Sequence, residues 1–160
     1  ANEIAAKGAA LHIVMHASAK ITLFFCAGAI YVSAHLNKVS QLDGLGYRMP
    51  MVFAAFFLAA LSIIGIPPLG GSWSKFLLMA GAAENGMVLV ILILAISSLM
   101  NVWYLLEPVM RGFYLPEKSP VHVEKLPLVV IPPVITAMLC LVLFFNPWPF
   151  LSLINLMVMP

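Results

Sequence analysis

The feature that most restricts the fold is a run of 21 residues, 86–106, that contains no charged side chain. As an α-helix this run is about 31 Å long, which matches the roughly 30 Å hydrocarbon core of a bilayer. Two other long runs, 9–34 and 126–145, are also predominantly apolar. Charged residues make up only 9% of the chain, whereas soluble domains carry about 25%. The sequence therefore predicts an integral membrane protein.

The apolar runs lack the alternation of apolar and polar residues that is typical of transmembrane strands. We therefore predict an all-α integral membrane fold, with residues 1–160 as one membrane domain and the lipid bilayer as its surroundings. About four transmembrane helices are expected, the second of them broken. The predicted spans are 9–34, 51–83, 86–106 and 126–145.

The second span is interrupted by the sequence GIPPLGG at 65–71. Residues 51–66 extend only about 24 Å as a helix, too short to cross the bilayer comfortably. Proline removes a backbone donor, and glycine permits conformations that other residues avoid. We predict one discontinuous helix, with a tight hairpin or a merely kinked helix as the alternatives. The hinge residues are Gly65, Pro67, Pro68, Gly70 and Gly71.

Two segments between the spans, 35–50 and 107–125, are basic. Their Lys and Arg side chains are Lys38, Arg48, Arg111, Lys118 and Lys125. With four crossings these segments lie on one side, which the excess of positive charge predicts to be cytoplasmic. If the second span were two crossings, the two segments would lie on opposite sides, and neither side would have an excess of positive charge. We expect a multi-pass protein of the cell inner membrane, with both termini on the opposite side.

Three titratable side chains interrupt the first span. His12, His16 and Lys20 follow one another at spacings of four residues, which places them on one narrow stripe of a helix. A lysine at membrane depth costs about 2.5–3.5 kcal/mol on insertion scales, so it should face protein or water. Histidine exchanges protons near neutral pH. The stripe therefore indicates proton transfer, although His12 alone is also compatible with an interfacial position.

Other kinds of site are less well supported. The stripe has no nearby carboxylate or thiolate to complete a metal site, so no metal is predicted. No nucleotide-binding loop or cofactor motif occurs, no basic run suggests nucleic acid, and no catalytic centre is predicted in this chain. Glu107 ends the third span and is expected to pair with Arg111 four residues on, with a secondary role in transport as the alternative.

Three motifs carry a resemblance to a known family. The sequences HIVMHASAK, LDGLGYRMP and GIPPLGGSWSK resemble, in the same order, the C-terminal part of the antiporter-like membrane subunits. These subunits are shared by Mrp-type Na⁺/H⁺ antiporters, respiratory complex I and membrane-bound hydrogenases. The resemblance is close over residues 8–84 and loose beyond them. Family members have about fourteen spans in two inverted repeats, of which this chain holds the last four.

The resemblance implies roles for individual residues. Lys20 is similar to the family's lysine in the middle of the membrane, with His12 and His16 as relay partners. Lys75 is similar to the ionisable residue on the second broken helix, a glutamate in one complex I subunit type and a lysine in most others. Ser72 and Trp73 depart from the family pattern, which has a phenylalanine after the glycine.

The implied function is proton translocation within a multisubunit cation/proton antiporter of the Mrp type. The alternative is the proton-pumping membrane arm of a redox-driven complex, either an NADH:quinone oxidoreductase or a membrane-bound hydrogenase. A third alternative is a half-module that only scaffolds its neighbours. The expected partners are other membrane subunits, including a chain or segment that supplies the missing N-terminal helices, and no cofactor is expected in this chain.

Overall fold

The computed structural model describes residues 2–117, 122–124 and 126–158. Over these ranges the chain forms six α-helices and two single turns of 3-10 helix, and it contains no strand. The helices are α1 (Glu3–Ala34), α2 (Pro50–Ile64), α3 (Gly71–Glu84), α4 (Val88–Tyr114), α5 (Pro127–Phe145) and α6 (Trp148–Val158), and the 3-10 turns are Val39–Gln41 and Leu45–Tyr47. The predicted all-α class is confirmed. Lys118 and Lys125, two of the charges behind the predicted orientation, lie outside the described ranges.

Within the described part of the chain, three helices are long and apolar enough to cross a membrane, namely α1, α4 and α5. The helix α2 is apolar but has only 15 residues. Two helices extend beyond the apolar runs that predict them. The helix α1 begins at Glu3 rather than near residue 9, and α4 continues to Tyr114 rather than ending near residue 106.

The helix α1 is unbroken over 32 residues, a length of about 48 Å. Its first turn is capped by Asn2, whose side-chain oxygen accepts a hydrogen bond from the Ala5 backbone N–H at 2.9 Å, as N-cap residues do. Its end is marked by His35, which adopts the left-handed conformation with φ 54°. The backbone N–H of His35 donates to the Tyr31 carbonyl at 2.8 Å.

The helices α2 and α3 follow one another along α1 and run in the opposite direction. Near the C-terminal end of α1, the Cys26 thiol donates to the Val52 carbonyl of α2. Farther back along α1, Ala19 packs with Ala60. The N-terminal part of α1 then contacts α3, where Gly8 lies against Leu78. Together α2 and α3 therefore cover much of the length of α1.

The backbone between α2 and α3 leaves the helical conformation within the segment where the sequence predicts a break. Gly65 ends α2 in the left-handed region with φ 92°, and its N–H donates to the Leu61 carbonyl. The Pro67–Pro68 peptide bond is cis. The Gly70 N–H donates to the Cys140 carbonyl of α5 at 3.0 Å, so the broken segment is attached to a neighbouring helix.

The remaining helices surround this three-helix arrangement unequally. The helix α5 packs on α1 and α2, whereas α4 packs on α2 and α3. The short α6 packs on α1, where Ile154 joins a buried cluster with Leu11 and Met15. The helix α6 has 11 residues, fewer than the about 20 that a membrane-spanning helix needs.

Ion pairs attach the segment after α1 to the end of α4. Arg111 of α4 donates from its Nε to Glu107 at 2.9 Å and from Nη1 to the nearly buried carboxylate of Asp43 at 3.0 Å. The Gly44 N–H donates to the Arg111 carbonyl at 3.1 Å. The Glu107–Arg111 pair predicted from the spacing of four residues is thus present, and it belongs to this attachment.

Candidate functional site

Lys75 lies in the first turns of α3 and reaches back across the break to the end of α2. Its Nζ donates to the Ile64 carbonyl oxygen at 3.0 Å and to the Ser98 hydroxyl of α4 at 2.7 Å. Within a continuous helix, the Ile64 carbonyl would accept from the backbone of residue 68. That residue is Pro68, which has no N–H. The break therefore leaves a backbone acceptor for the lysine ammonium.

The stem of Lys75 passes directly over Gly65. A Cβ atom on Gly65 would lie 2.7 Å from the Cδ of Lys75. An open pocket of about 560 Å³ adjoins the lysine, and its lining includes Gly65, Pro67, Trp73 and Ser98. The glycine thus meets two requirements at once, because it adopts a left-handed backbone and leaves room for the lysine.

We expect Gly65→Ala to destabilise the protein by about 1–2 kcal/mol through backbone strain and to displace the Lys75 stem. Gly65→Asn should cost less, because asparagine tolerates the left-handed region better than alanine. The midpoint of thermal denaturation of the purified complex measures both effects. Equal losses in the two variants would mean that contact with Lys75, rather than backbone conformation, decides the cost.

His12 of α1 is joined to α3 through the residue before Lys75. Its Nδ1 lies 2.9 Å from the Oγ of Ser74, which is fully buried. The Ser74 hydroxyl is also 3.1 Å from the Gly71 carbonyl, to which it can donate. The rings of His12 and His16 have centroids 5.3 Å apart. Both histidines therefore lie near the start of α3.

Lys20 occupies a different environment from His12. It is exposed on the surface of this chain, on the same face of α1 as the exposed Ile13 and Phe24. Among the residues that the structure describes, none forms a hydrogen bond or an ion pair with it. The stripe turns by about 80° over eight residues, so it begins at the α3 interface and ends facing outward.

His16 lies one helical turn from His12 and one from Lys20 along α1. The structure thus brings His12 and His16 together, joins His12 to the residue that precedes Lys75, and leaves Lys20 exposed. Glu107 is held by Arg111 in the attachment described above.

Three groups that hold these helices and side chains in place were not predicted from the sequence. The Ile64 carbonyl belongs to the backbone, so no side chain in the sequence identifies it as a hydrogen-bond acceptor. Pro68, four residues later, does indicate that this carbonyl lacks its usual helical donor. Ser74 precedes Lys75 directly, and only the antiparallel placement of α1 reveals that it meets His12.

Asp43, within the LDGLGYRMP motif, has a nearly buried carboxylate that pairs with Arg111. Ser98 of α4 forms an interhelical hydrogen bond with Lys75 of α3.

Comparison with known proteins supports the resemblance of the three motifs. A family described as NADH:quinone oxidoreductase/Mrp antiporter, TM, matches residues 1–101. NADH-quinone oxidoreductase subunit N of Desulforudis audaxviator (strain MP104C) is 37% identical over 112 residues, which cover 70% of this chain and 22% of that protein. The chain therefore spans less than a quarter of the length of that relative.

Two solved structures have the same arrangement of helices. A chain of the Mrp complex from Dietzia sp. DQ12-45-1b superposes with a TM-score of 0.86 at 21% identity, over 98% of this chain and 38% of that one. A chain of respiratory complex I from Thermus thermophilus gives a TM-score of 0.72 at 25% identity, over 93% and 35%. Because the family match covers more than half of its residues, this chain belongs to the NADH:quinone oxidoreductase/Mrp antiporter family of transmembrane proteins.

Proposed function

We propose that this chain is the C-terminal part of an antiporter-like subunit and that it moves protons through Lys20, His16, His12 and Lys75. The observation that carries the proposal is the position of Lys75 at the helix break, bound to a freed backbone carbonyl and to Ser98. Ionisable groups at membrane depth are costly and mark ion pathways. Broken helices are tolerated there where they line a cavity or are covered by protein.

The order of the groups supports a route from the outer face of α1 toward the break. A proton that arrives at Lys20 passes to His16 and then to His12, whose ring is adjacent at a centroid distance of 5.3 Å. From the histidines it reaches Lys75 through water or through ring rotation. Lys75 borders the open pocket beside the break, which is the proposed exit. Each transfer requires only a donor and an acceptor, so these four side chains would need no bound cofactor to pass the proton along.

The helices α2 and α3 are proposed to form one membrane crossing. Their placement one after the other along α1 favours a discontinuous helix, because α3 in a hairpin would return beside α2. This gives four crossings and places segments 35–50 and 107–125 on the same side, the cytoplasm under the positive-inside rule. The proposed location is the cell inner membrane.

The proposed partners are other membrane subunits and the chain or segment that supplies the N-terminal helices. The exposed face of α1 supports this, because it combines Lys20 with Ile13 and Phe24. A lysine in such a face costs about 2.5–3.5 kcal/mol in lipid, so a polar surface of another helix should cover it. Either a separate chain or the remainder of a longer subunit would provide that surface.

The complex that contains the chain is proposed to be an Mrp-type cation/proton antiporter, and the description of the family that matches residues 1–101 includes the Mrp antiporters. The 37% identical relative named as an NADH-quinone oxidoreductase subunit favours a second candidate, the membrane arm of a redox-driven complex. Purification of the native complex in mild detergent, followed by mass spectrometry of its subunits, separates the two. Iron–sulfur subunits would indicate the redox-driven complex, and small membrane subunits without them the antiporter.

The proposed function is tested by Lys20→Ala in the assembled complex. We expect the rate of proton transport into membrane vesicles to fall by about tenfold or more, since positioned proton-transfer groups contribute about 10²–10⁴-fold to rates. The amount of assembled complex on a native gel should stay unchanged. Full transport in a normally assembled variant would show that Lys20 does not carry the proton.

A further inference from the structure

Two of the titratable side chains at the site share a type of partner. Lys75 Nζ contacts the Ser98 hydroxyl at 2.7 Å, and His12 Nδ1 contacts the Ser74 hydroxyl at 2.9 Å. The other partner of Lys75 is the Ile64 carbonyl, which can only accept a hydrogen bond. A serine hydroxyl both donates and accepts, and its hydrogen turns to suit the partner.

This property matters for a group that gains and loses a proton. When Lys75 is an ammonium, all of its hydrogen-bonding positions are donors, and the Ser98 oxygen accepts from one of them. When Lys75 is a neutral amine, its nitrogen has a lone pair, and Ser98 can donate to it. The hydroxyl therefore keeps a hydrogen bond to the nitrogen in both charge states, which a carbonyl facing the lone pair does not.

The second contact follows the same chemistry. When the Nδ1 of His12 carries a hydrogen, Ser74 accepts from it and turns its own hydrogen to the Gly71 carbonyl, 3.1 Å away. When Nδ1 is unprotonated, Ser74 donates to it instead. Ser74 is fully buried, so water cannot replace this adjustment. A serine hydroxyl thus contacts a titratable nitrogen from two different helices, which indicates a feature of the site rather than a chance contact.

We propose that Ser98 is a positioning residue that holds the Lys75 nitrogen in place through its protonation cycle. The inference rests on the proposed function, because it assigns a task to Ser98 only if Lys75 exchanges protons. Loss of the hydroxyl should affect the charged amine more than the neutral one, since hydrogen bonds to ionised groups are about twice as strong. The expected signature is therefore a change in the pH dependence of transport.

The test compares Ser98→Thr with Ser98→Val in the assembled complex. These two side chains have nearly the same shape and differ by a hydroxyl in place of a methyl group, and the pocket beside Ser98 offers room for either. Proton transport is measured across a range of pH in membrane vesicles with a pH-sensitive dye. For Ser98→Val, the pH at which the rate falls by half on the alkaline side should drop by about half a unit or more. Ser98→Thr should retain the alkaline limb of the original profile.

Each outcome decides the inference. An unchanged alkaline limb in Ser98→Val would overturn it, and so would equal changes in the valine and threonine variants, because the added methyl group would then be the cause. Ser98→Ala removes the hydroxyl without adding atoms and is scored in the same way if Ser98→Val does not assemble. If Lys75→Met leaves transport intact, the proposed function itself fails, which is a separate result from failure at Ser98.

Discussion

Lys75→Met is expected to lower the rate of proton transport by the assembled complex by about 100-fold. Methionine is unbranched and fills a similar volume, but it has no titratable group and cannot donate to the Ile64 carbonyl or to Ser98. Groups that accept and release protons in position contribute about 10²–10⁴-fold to the rates they support. The measurement is the initial rate of dye quenching in membrane vesicles, normalised to the amount of complex.

The matched control for this variant is Lys38→Met. Lys38 is an exposed lysine in the segment that follows α1, so its replacement removes the same charge without touching the group around Lys75. We expect this control to keep its transport rate. A comparable loss in both variants would attribute the effect to net charge, and a transporting Lys75→Met variant would remove Lys75 from the proton path.

Gly71→Ala is expected to prevent stable assembly, with a cost of more than about 3 kcal/mol. A Cβ atom at this position would lie 1.8 Å from the carbonyl oxygen of Ser62. Both groups are backbone-attached, so no rotamer change can separate them. The Gly71 N–H also donates to the Ser62 hydroxyl at 3.3 Å, which fixes the close approach. The amount of complex on a native gel and its thermal denaturation measure the loss.

Gly28→Ala provides the control for this second variant. Gly28 is inside α1, and a Cβ atom there meets nothing within 4 Å in this chain. Alanine is favoured over glycine inside a helix by about 1 kcal/mol, so the variant should assemble normally. If Gly71→Ala assembles as well as Gly28→Ala, α2 and α3 must be able to separate at the break, contrary to the structure.

The sequence was sufficient to predict the all-α fold and the location of the helix interruption, because both depend on local chemistry. Apolar runs of bilayer length allow few alternatives to helices, and the prolines and glycines at 65–71 act on their own backbone. The Glu107–Arg111 pair is likewise local, since four residues separate its members on one helix face.

The geometry of the site could not be predicted in the same way. The spacing of His12, His16 and Lys20 places them on one stripe, but the direction in which the stripe faces depends on how α1 packs against α3. The contact between Lys75 and Ser98 joins residues 23 positions apart, and it exists because α4 returns beside α3. Ser74 meets His12 across 62 positions. Such contacts are set by tertiary packing, of which one sequence contains no direct record.

The carbonyl of Ile64 has a consequence for how this site can change over evolutionary time. Its oxygen belongs to the main chain, so no substitution of the Ile64 side chain removes the acceptor that Lys75 uses. A scan that replaces each side chain with alanine would report the loss of a buried side chain at this position, and it would not reveal the role of the carbonyl. What selection can act on is Pro68, whose missing N–H leaves the oxygen available. The partner of the lysine is thus inherited through a proline four residues away, and not through the side chain of residue 64.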